Sequence, residues 1–330
     1  MSVYLFQLHY VSISDWVITG NVNHRLNKPI LINAKDVKPM DIIFSNTNLL
    51  SYEKLSSLLL QIQVPYILIT AICDETVPYL YDCSEKPKYD YRPLLESKNL
   101  VAWFGTNVDL EHPKIHPIPL GIPFSKPVHS DTHPAFKSAH CKYMGWYSDL
   151  FDIAVVIDKY NSMPLEDIKD RFMSPKKELL FCGYTTMNTD DCTVQRYRKI
   201  RSELDKYLET TEFVKSDLTS WERYTERLGS SKFTLSPPGR GIDTHRTYEA
   251  LICGSIPIVF PAYLNKLYEG LPVLVVDDFK KLTPEYLETE YKELMSRGDY
   301  DFTKLTSDYW CKKILDMKSV YRILPKSPLL

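Results

Sequence analysis

Short apolar runs with β-branched residues recur through the first part of the chain, each about as long as one strand. These runs are residues 3–6, 30–32, 41–44, 66–70, 100–104 and 115–120. Residues 51–63, which lie between two of the runs, carry leucines at helical spacing. Strands that alternate with helices predict an α/β layer architecture.

A second series of alternating patterns begins near Glu178. The predicted strands are residues 178–182, 211–214, 232–236, 256–260 and 273–276, and the predicted helices are 191–208, 218–229, 243–253 and 262–268. Thr283-Pro-Glu has the cap residue and the first-turn proline of a further helix. Repeated strand–helix units predict a second parallel sheet with crossover helices.

The two series divide the chain into two domains of similar size. We place an N-terminal Rossmann-like domain at 1–150, a connecting region at 151–177 and a C-terminal Rossmann-like domain at 178–300. A last helical pattern within 301–330 is expected to pack back on the first domain. Two such sheets facing a cleft bind ligands at the carboxyl ends of their strands.

Composition narrows the class of protein. The 330 residues are 44% hydrophobic and carry a net charge of −2, so there is no general basic field for nucleic acid. The seven cysteines form no C-x-x-C pair, which argues against structural zinc and favours reduced thiols. The N-terminus has neither a basic region nor a long apolar stretch. We therefore expect no signal peptide, no membrane anchor and a cytoplasmic location.

The segment after the predicted strand 232–236 has the features of an anion site. Two prolines end the strand, and Gly239-Arg240-Gly241 allows a tight backbone close to a ligand. Asp243 or Thr244 is a cap for the next helix, whose first-turn amides favour an anion. Arg240, His245 and Arg246 add donor or positive groups, which suits a diphosphate.

Glu249 follows Arg246 by three residues and lies on the same helical side. A carboxylate one turn from a phosphate site is suited to ribose hydroxyls, as in other nucleotide-binding folds. The simpler alternative is a salt bridge between Arg246 and Glu249 within an ordinary loop–helix–strand unit.

This whole segment resembles the C-terminal signature of exostosin-like glycosyltransferases. The signature has proline and glycine, then Asp or Ser, Arg, aromatic-Glu-Ala-Leu and Gly-x-Ile-Pro. The matching residues are Pro238, Gly239, Gly241, Asp243, Arg246, Glu249, Ala250, Leu251, Gly254, Ile256 and Pro257. The resemblance is strong over about 178–280 and weaker before it.

The resemblance implies the GT-B architecture, with a nucleotide sugar in the C-terminal domain and the acceptor in the N-terminal domain. It also extends the donor site to the turn after strand 178–182, with Arg196 as the preferred phosphate arginine there; a solvated surface arginine is the alternative. The donor-site candidates are Gly183, Tyr184, Thr185, Arg196, Ser236, Pro238, Gly239, Arg240, Gly241, Asp243, His245, Arg246, Thr247 and Glu249. Similar anchorless enzymes of the xylosyltransferase type occur in large algal viruses (chloroviruses).

An inverting transfer needs a general base on the side opposite the donor. Asp74, after the predicted strand 66–70, is the preferred candidate and Glu75 the second; a helix cap or a surface acid is the alternative for each. Trp103, Asn107 and Asp109 are candidates for the acceptor site with Glu75, although Trp103 also fits a core position.

No Asp-x-Asp motif suited to a metal follows a strand. We therefore expect no cofactor and no metal, with Arg246 and the 239–245 loop stabilising the departing nucleotide. The predicted function is an inverting transfer from a UDP-sugar, such as UDP-xylose, to a glycan hydroxyl. The alternatives are a retaining transferase and a noncatalytic nucleotide-sugar or glycan-binding protein on the same fold.

Overall fold

A computed structural model describes residues 8–18, 32–51, 53–81, 87–122, 165–183, 195–215 and 221–323. It contains two separate five-stranded sheets, and every neighbouring pair of strands in both sheets is parallel. This confirms the predicted α/β fold with two Rossmann-like units.

The first sheet has the strands in chain order, which places each new strand beside the last. Its strands are β1 (Trp16–Ile18), β2 (Asp41–Asn46), β3 (Tyr66–Ala71), β6 (Leu100–Gly105) and β7 (Ile115–Pro117). The helices of this part are Leu8–Ser12, Glu53–Gln61 and Arg92–Glu96, with a 3₁₀ turn at Thr47–Ser51. Every residue of β2 and β3 is buried, as expected for the centre of a parallel sheet.

The strands of the second sheet are β8 (Glu178–Phe181), β9 (Val214–Lys215), β10 (Ser231–Leu235), β11 (Ile256–Val259) and β12 (Leu274–Val275). They lie in the order β12-β11-β10-β8-β9. The helices of this part are Leu165–Met173, Gln195–Leu208, Trp221–Ser230, His245–Cys253 and Pro284–Ser296, with 3₁₀ turns at Tyr263–Tyr268, Phe279–Lys281 and Phe302–Leu305.

Most differences between the predicted and the observed elements concern the first or last residues of a helix or strand. Thr283 caps its helix as predicted, because its side chain accepts a hydrogen bond from Tyr286 N, and Pro284 follows it. The pattern at 262–268 forms a 3₁₀ turn rather than an α-helix. The sequence patterns missed β1 and the antiparallel hairpin of β4 (Tyr79–Tyr81) and β5 (Pro87–Asp90). The predicted strand 3–6 lies outside the described residues.

The helix Ser307–Ile323 contacts the N-terminal part of the chain. The Ser307 hydroxyl lies 2.6 Å from His9 Nδ1, and Lys318 Nζ lies 2.5 Å from an Asp15 carboxylate oxygen. The chain therefore returns to its first domain after completing the second sheet. No helix within the described ranges is long and apolar enough to cross a membrane.

Candidate functional site

The carboxyl ends of the two sheets meet at a set of hydrogen bonds across the interface. Asn107 follows β6, and its Oδ1 accepts from the backbone N–H of Asp243, which follows β10, at 2.9 Å. Gly121, after β7, accepts from His245 Nδ1 at 2.6 Å. The loop after β10 is therefore held from the opposite sheet as well as from its own.

Asp243 is the centre of this interface and is 2% exposed. Its Oδ2 accepts from Leu120 N at 2.9 Å and Tyr248 OH at 2.6 Å, and its Oδ1 accepts from Thr244 N at 2.9 Å and Tyr268 OH at 2.8 Å. Burial raises the pKa of Asp243, whereas these four donors favour its carboxylate. Both oxygens are used by the protein. The prediction that Asp243 contacts the donor is therefore replaced by a structural role that joins the two domains.

Gly241 lies against Asn107 rather than at an open approach to a ligand. A Cβ at Gly241 would come 2.7 Å from Asn107 Nδ2 and 2.8 Å from Oδ1. Asn107 is fully buried, and its Nδ2 donates to the carbonyls of Cys73 and Asp74 at 3.3 Å. The Asn107 amide is thus hydrogen-bonded within the protein on both its nitrogen and its oxygen. This corrects the prediction that Asn107 contacts the acceptor.

Buried hydroxyls close the loop between β10 and the next helix. Ser236 Oγ lies 2.7 Å from Thr244 Oγ1 and 2.8 Å from Thr247 Oγ1. Gly239 N donates to Gly241 O at 3.0 Å, and the buried Arg201 donates from Nη1 to Pro238 O at 3.2 Å. Ser236 and Thr247, predicted as donor contacts, therefore hold the loop. No pattern in the sequence pointed to Arg201.

The helix His245–Cys253 begins at this loop and ends at Gly254. Gly254 has φ +82°, and a Cβ there would lie 2.5 Å from the carbonyl carbon of Arg171, so glycine is required. The first turn contains His245 and Arg246, at the end where helical N–H groups lack intrahelical acceptors. Thr244 is the N-cap residue by position, but its side chain makes no capping bond.

Glu249, Arg246 and Gly183 come together around Tyr224, which the sequence did not single out. Tyr224 OH donates to Glu249 Oε2 at 2.6 Å, and a Cβ at Gly183 would lie 2.7 Å from the Tyr224 ring. Burial and the Glu249 charge raise the pKa of Tyr224, and the Arg246 charge acts in the opposite direction. The structure thus places these three predicted donor residues in one cluster.

The loop after β3 carries the two candidate bases. Ile72 has φ +60°, which is strained for a β-branched residue, and strained backbone is concentrated at functional sites. Asp74 is exposed, whereas Glu75 is half-buried and its Oε2 accepts a hydrogen bond from the Cys73 thiol. Burial raises the pKa of Glu75, while its own backbone N–H and the charge of Arg240 lower it. The Glu75 carboxylate is therefore within electrostatic range of Arg240, in the loop after β10.

Trp103 belongs to the core and not to an acceptor surface. It is fully buried in β6, and its Nε1 donates to Thr70 Oγ1 at 2.8 Å. Asp109 is half-buried, and its backbone N donates to Val77 O at 2.8 Å. Tyr184 and Thr185 lie outside the described residues. Only the backbone of Arg196 is described, within the helix Gln195–Leu208. Across the described ranges, no group of three or more His, Cys, Asp or Glu side chains is arranged to hold a metal.

Residues 190–266 match the family model described as the RXYLT1 C-terminal domain. The match includes the loop after β10, Arg246 and Glu249, and so covers most of the exostosin-like signature. The chain is a glycosyltransferase. The match covers about a quarter of its length and lies in the second sheet and its helices. No curated protein matched in a sequence comparison.

Solved structures of low sequence identity align with most of the glycosyltransferase chain. A UDP-forming α,α-trehalose-phosphate synthase from Burkholderia vietnamiensis is 9% identical, with 88% of this chain and 76% of that chain covered and a TM-score of 0.39. The corresponding synthase from Burkholderia xenovorans is 11% identical, with 87% and 76% covered and a TM-score of 0.38. These TM-scores are too low to carry any statement about activity.

Proposed function

We propose that this glycosyltransferase moves a sugar from a UDP-sugar, such as UDP-xylose, to a glycan hydroxyl with inversion and without a metal. The observation that carries the proposal is the cluster of Gly183, Tyr224, Arg246 and Glu249 beside the loop after β10. It combines a helix N-terminus, an arginine and a buried carboxylate, which are the groups that a nucleoside diphosphate requires.

In this proposal the diphosphate lies at the first turn of the helix His245–Cys253. Arg246 and the helix amides stabilise the negative charge that develops on the departing UDP. Glu249, held by Tyr224, receives the ribose hydroxyls. Asp243, Asn107, Ser236 and Thr247 keep the loop in position without contacting the donor.

The acceptor hydroxyl attacks the anomeric carbon from the side of the first sheet. A base removes its proton as the new C–O bond forms and the bond to UDP breaks. We propose Glu75 for this role in preference to Asp74, because Glu75 is half-buried and electrostatically coupled to Arg240, whereas Asp74 is exposed. Asp109 follows the neighbouring strand β6 and is proposed to contact the acceptor. The cytoplasmic location and the likeness to viral enzymes stay predictions.

Binding tests the donor half of the proposal directly. We expect UDP and at least one UDP-sugar to bind in a ligand-observed NMR screen that also contains GDP- and CMP-sugars, with EDTA present. Arg246→Ala should weaken UDP binding, whereas Arg297→Ala, which changes an exposed arginine paired with Asp299, should not. Failure of the wild type to bind any uridine nucleotide would contradict the proposal.

Product stereochemistry tests the mechanism. Proton NMR of the first-formed product should show the anomeric configuration opposite to that of the donor. Retention would exclude a simple general-base mechanism at Glu75. Nucleotide binding without transfer or donor hydrolysis would instead support the noncatalytic alternative.

A further inference from the structure

The antiparallel hairpin of β4 and β5 follows directly from the loop that carries Glu75. Tyr79 pairs with Asp90, and Leu80 pairs with Tyr89. The Thr76 hydroxyl donates to the carbonyl of Tyr79, and Tyr91 N donates to Pro78 O at 2.9 Å. The hairpin is thereby fixed to the candidate base loop at its first strand and just after its second.

Tyr89 and Tyr91 form a stacked aromatic pair at the end of this hairpin. Their ring centroids are 6.0 Å apart and their planes differ by 10°. Tyr89 is 37% exposed, whereas Tyr91 is 6% exposed. The pair therefore presents one partly exposed ring with a second, buried ring offset beside it.

The Tyr91 hydroxyl is buried and has no hydrogen-bond partner in the described part of the chain. A buried hydroxyl without a partner is unfavourable, and a ligand that supplies one recovers the lost interaction. Burial, Tyr89 and the Glu75 charge all raise the pKa of Tyr91. Tyr91 is thus within electrostatic range of Glu75, as Glu75 is of Arg240.

Three charged side chains, Lys88, Asp90 and Arg92, lie beside the stacked pair. Arg92 donates from Nη2 to Asp90 Oδ2 at 2.6 Å and from Nε to the same carboxylate at 2.9 Å and 3.0 Å. Its guanidinium also lies 5.2 Å from the centre of the Tyr79 ring. Asp90 neutralises Arg92, and Lys88 Nζ lies 5.9 Å from the centre of the Tyr89 ring.

We propose that Tyr89 and Tyr91 form an acceptor subsite for a neutral sugar ring. The apolar face of the sugar stacks on Tyr89, and one of its hydroxyls bonds to Tyr91 OH. The hairpin that carries these two residues is hydrogen-bonded to the loop of Glu75, the proposed base. This subsite rests on the proposed function, because it assigns the acceptor of the same transfer.

Titration with neutral disaccharides tests the subsite. The probes are xylobiose, cellobiose and lactose, added to the full chain with saturating UDP and observed by saturation-transfer NMR. We expect at least one probe to bind, and Tyr89→Ala to weaken that binding by about tenfold, the effect of one lost stacking interaction. The matched control is Tyr321→Ala, because Tyr321 is 43% exposed on the last helix. This variant should bind the disaccharide as tightly as the wild type does.

A second variant separates recognition from folding. Tyr91→Phe keeps the ring and removes only the hydroxyl, which has no partner in the described structure. It should keep the wild-type melting temperature and weaken the disaccharide several-fold. The proposal is overturned if no probe binds while UDP does, or if Tyr89→Ala binds the probe as tightly as Tyr321→Ala. If the wild type does not bind UDP, the proposed donor site is contradicted instead.

Discussion

Asp243→Asn probes how the two sheets are held together beside the proposed donor site. The side chain keeps its size but replaces one acceptor oxygen with an NH₂ donor. In one orientation the NH₂ group meets Leu120 N–H, and in the other it meets Thr244 N–H. Neither backbone N–H can turn away. The tyrosine hydroxyls at each oxygen can rotate, so the conflict is confined to one backbone donor.

The magnitude follows from that single conflict. A buried donor left without an acceptor costs about 1–3 kcal/mol. Because burial already raises the pKa of Asp243, removing the charge recovers some desolvation energy. We therefore expect a loss of about 1–3 kcal/mol in the free energy of unfolding, and not the larger loss of a broken buried ion pair. The loop after β10 should also lose its fixed position, so UDP affinity should fall.

Urea denaturation followed by circular dichroism measures the stability change, and calorimetric titration measures UDP affinity. The control is Asp277→Asn, because Asp277 forms an exposed pair with Lys281 and should change stability by less than about 0.5 kcal/mol. If Asp243→Asn matches this control in both measurements, the interdomain role derived for Asp243 is wrong.

Three further predictions follow from the site. Gly241→Ala should lower the melting temperature and cost about 1–3 kcal/mol in the free energy of unfolding, because the added Cβ would overlap Asn107. The control is Gly298→Ala, whose Cβ would meet nothing within 4 Å and which should leave the melting temperature nearly unchanged. Tyr224→Phe removes the donor to Glu249, so calorimetry should show weaker UDP binding; equal affinity would contradict the ribose role of Glu249. The proposed base Glu75 would act as a carboxylate, and burial raises its pKa. We therefore expect kcat/KM to fall with decreasing pH at a value above the ordinary glutamate pKa of about 4.3. Glu75→Gln should abolish transfer, and an unchanged pH profile in Asp74→Asn would favour Glu75 over Asp74 as the base.

Much of the fold was readable from the sequence because parallel strands are short, continuous apolar runs. β2, β3, β6, β10 and β11 all coincide with predicted runs, since central strands are buried on both faces. β1 was missed because it has only three residues and only Ile18 is fully buried. The hairpin was missed because its tyrosines, charges and Pro87 do not give a clear alternation of apolar and polar positions.

The loop after β10 was predicted as a donor site from local sequence, but the contacts that hold its residues in place were not readable. Gly241 was predicted to let the backbone approach a ligand, and Asp243 was predicted as a cap of the next helix within the family signature. Their partners, Leu120 and Asn107, lie more than a hundred residues earlier in the chain and become neighbours only when the sheets meet. Tyr224 and Arg201 carried no signal, because each occupies an ordinary position in a helical pattern.

Release of UDP from UDP-sugars by the full chain, measured in the presence of EDTA, tests the proposed transfer most directly. We expect release from at least one donor, with UDP-xylose the first to be tried, and a fall of about a hundredfold or more in Arg246→Ala. Absence of release and of binding for every UDP-sugar, or equal rates for the wild type and Arg246→Ala, would contradict it.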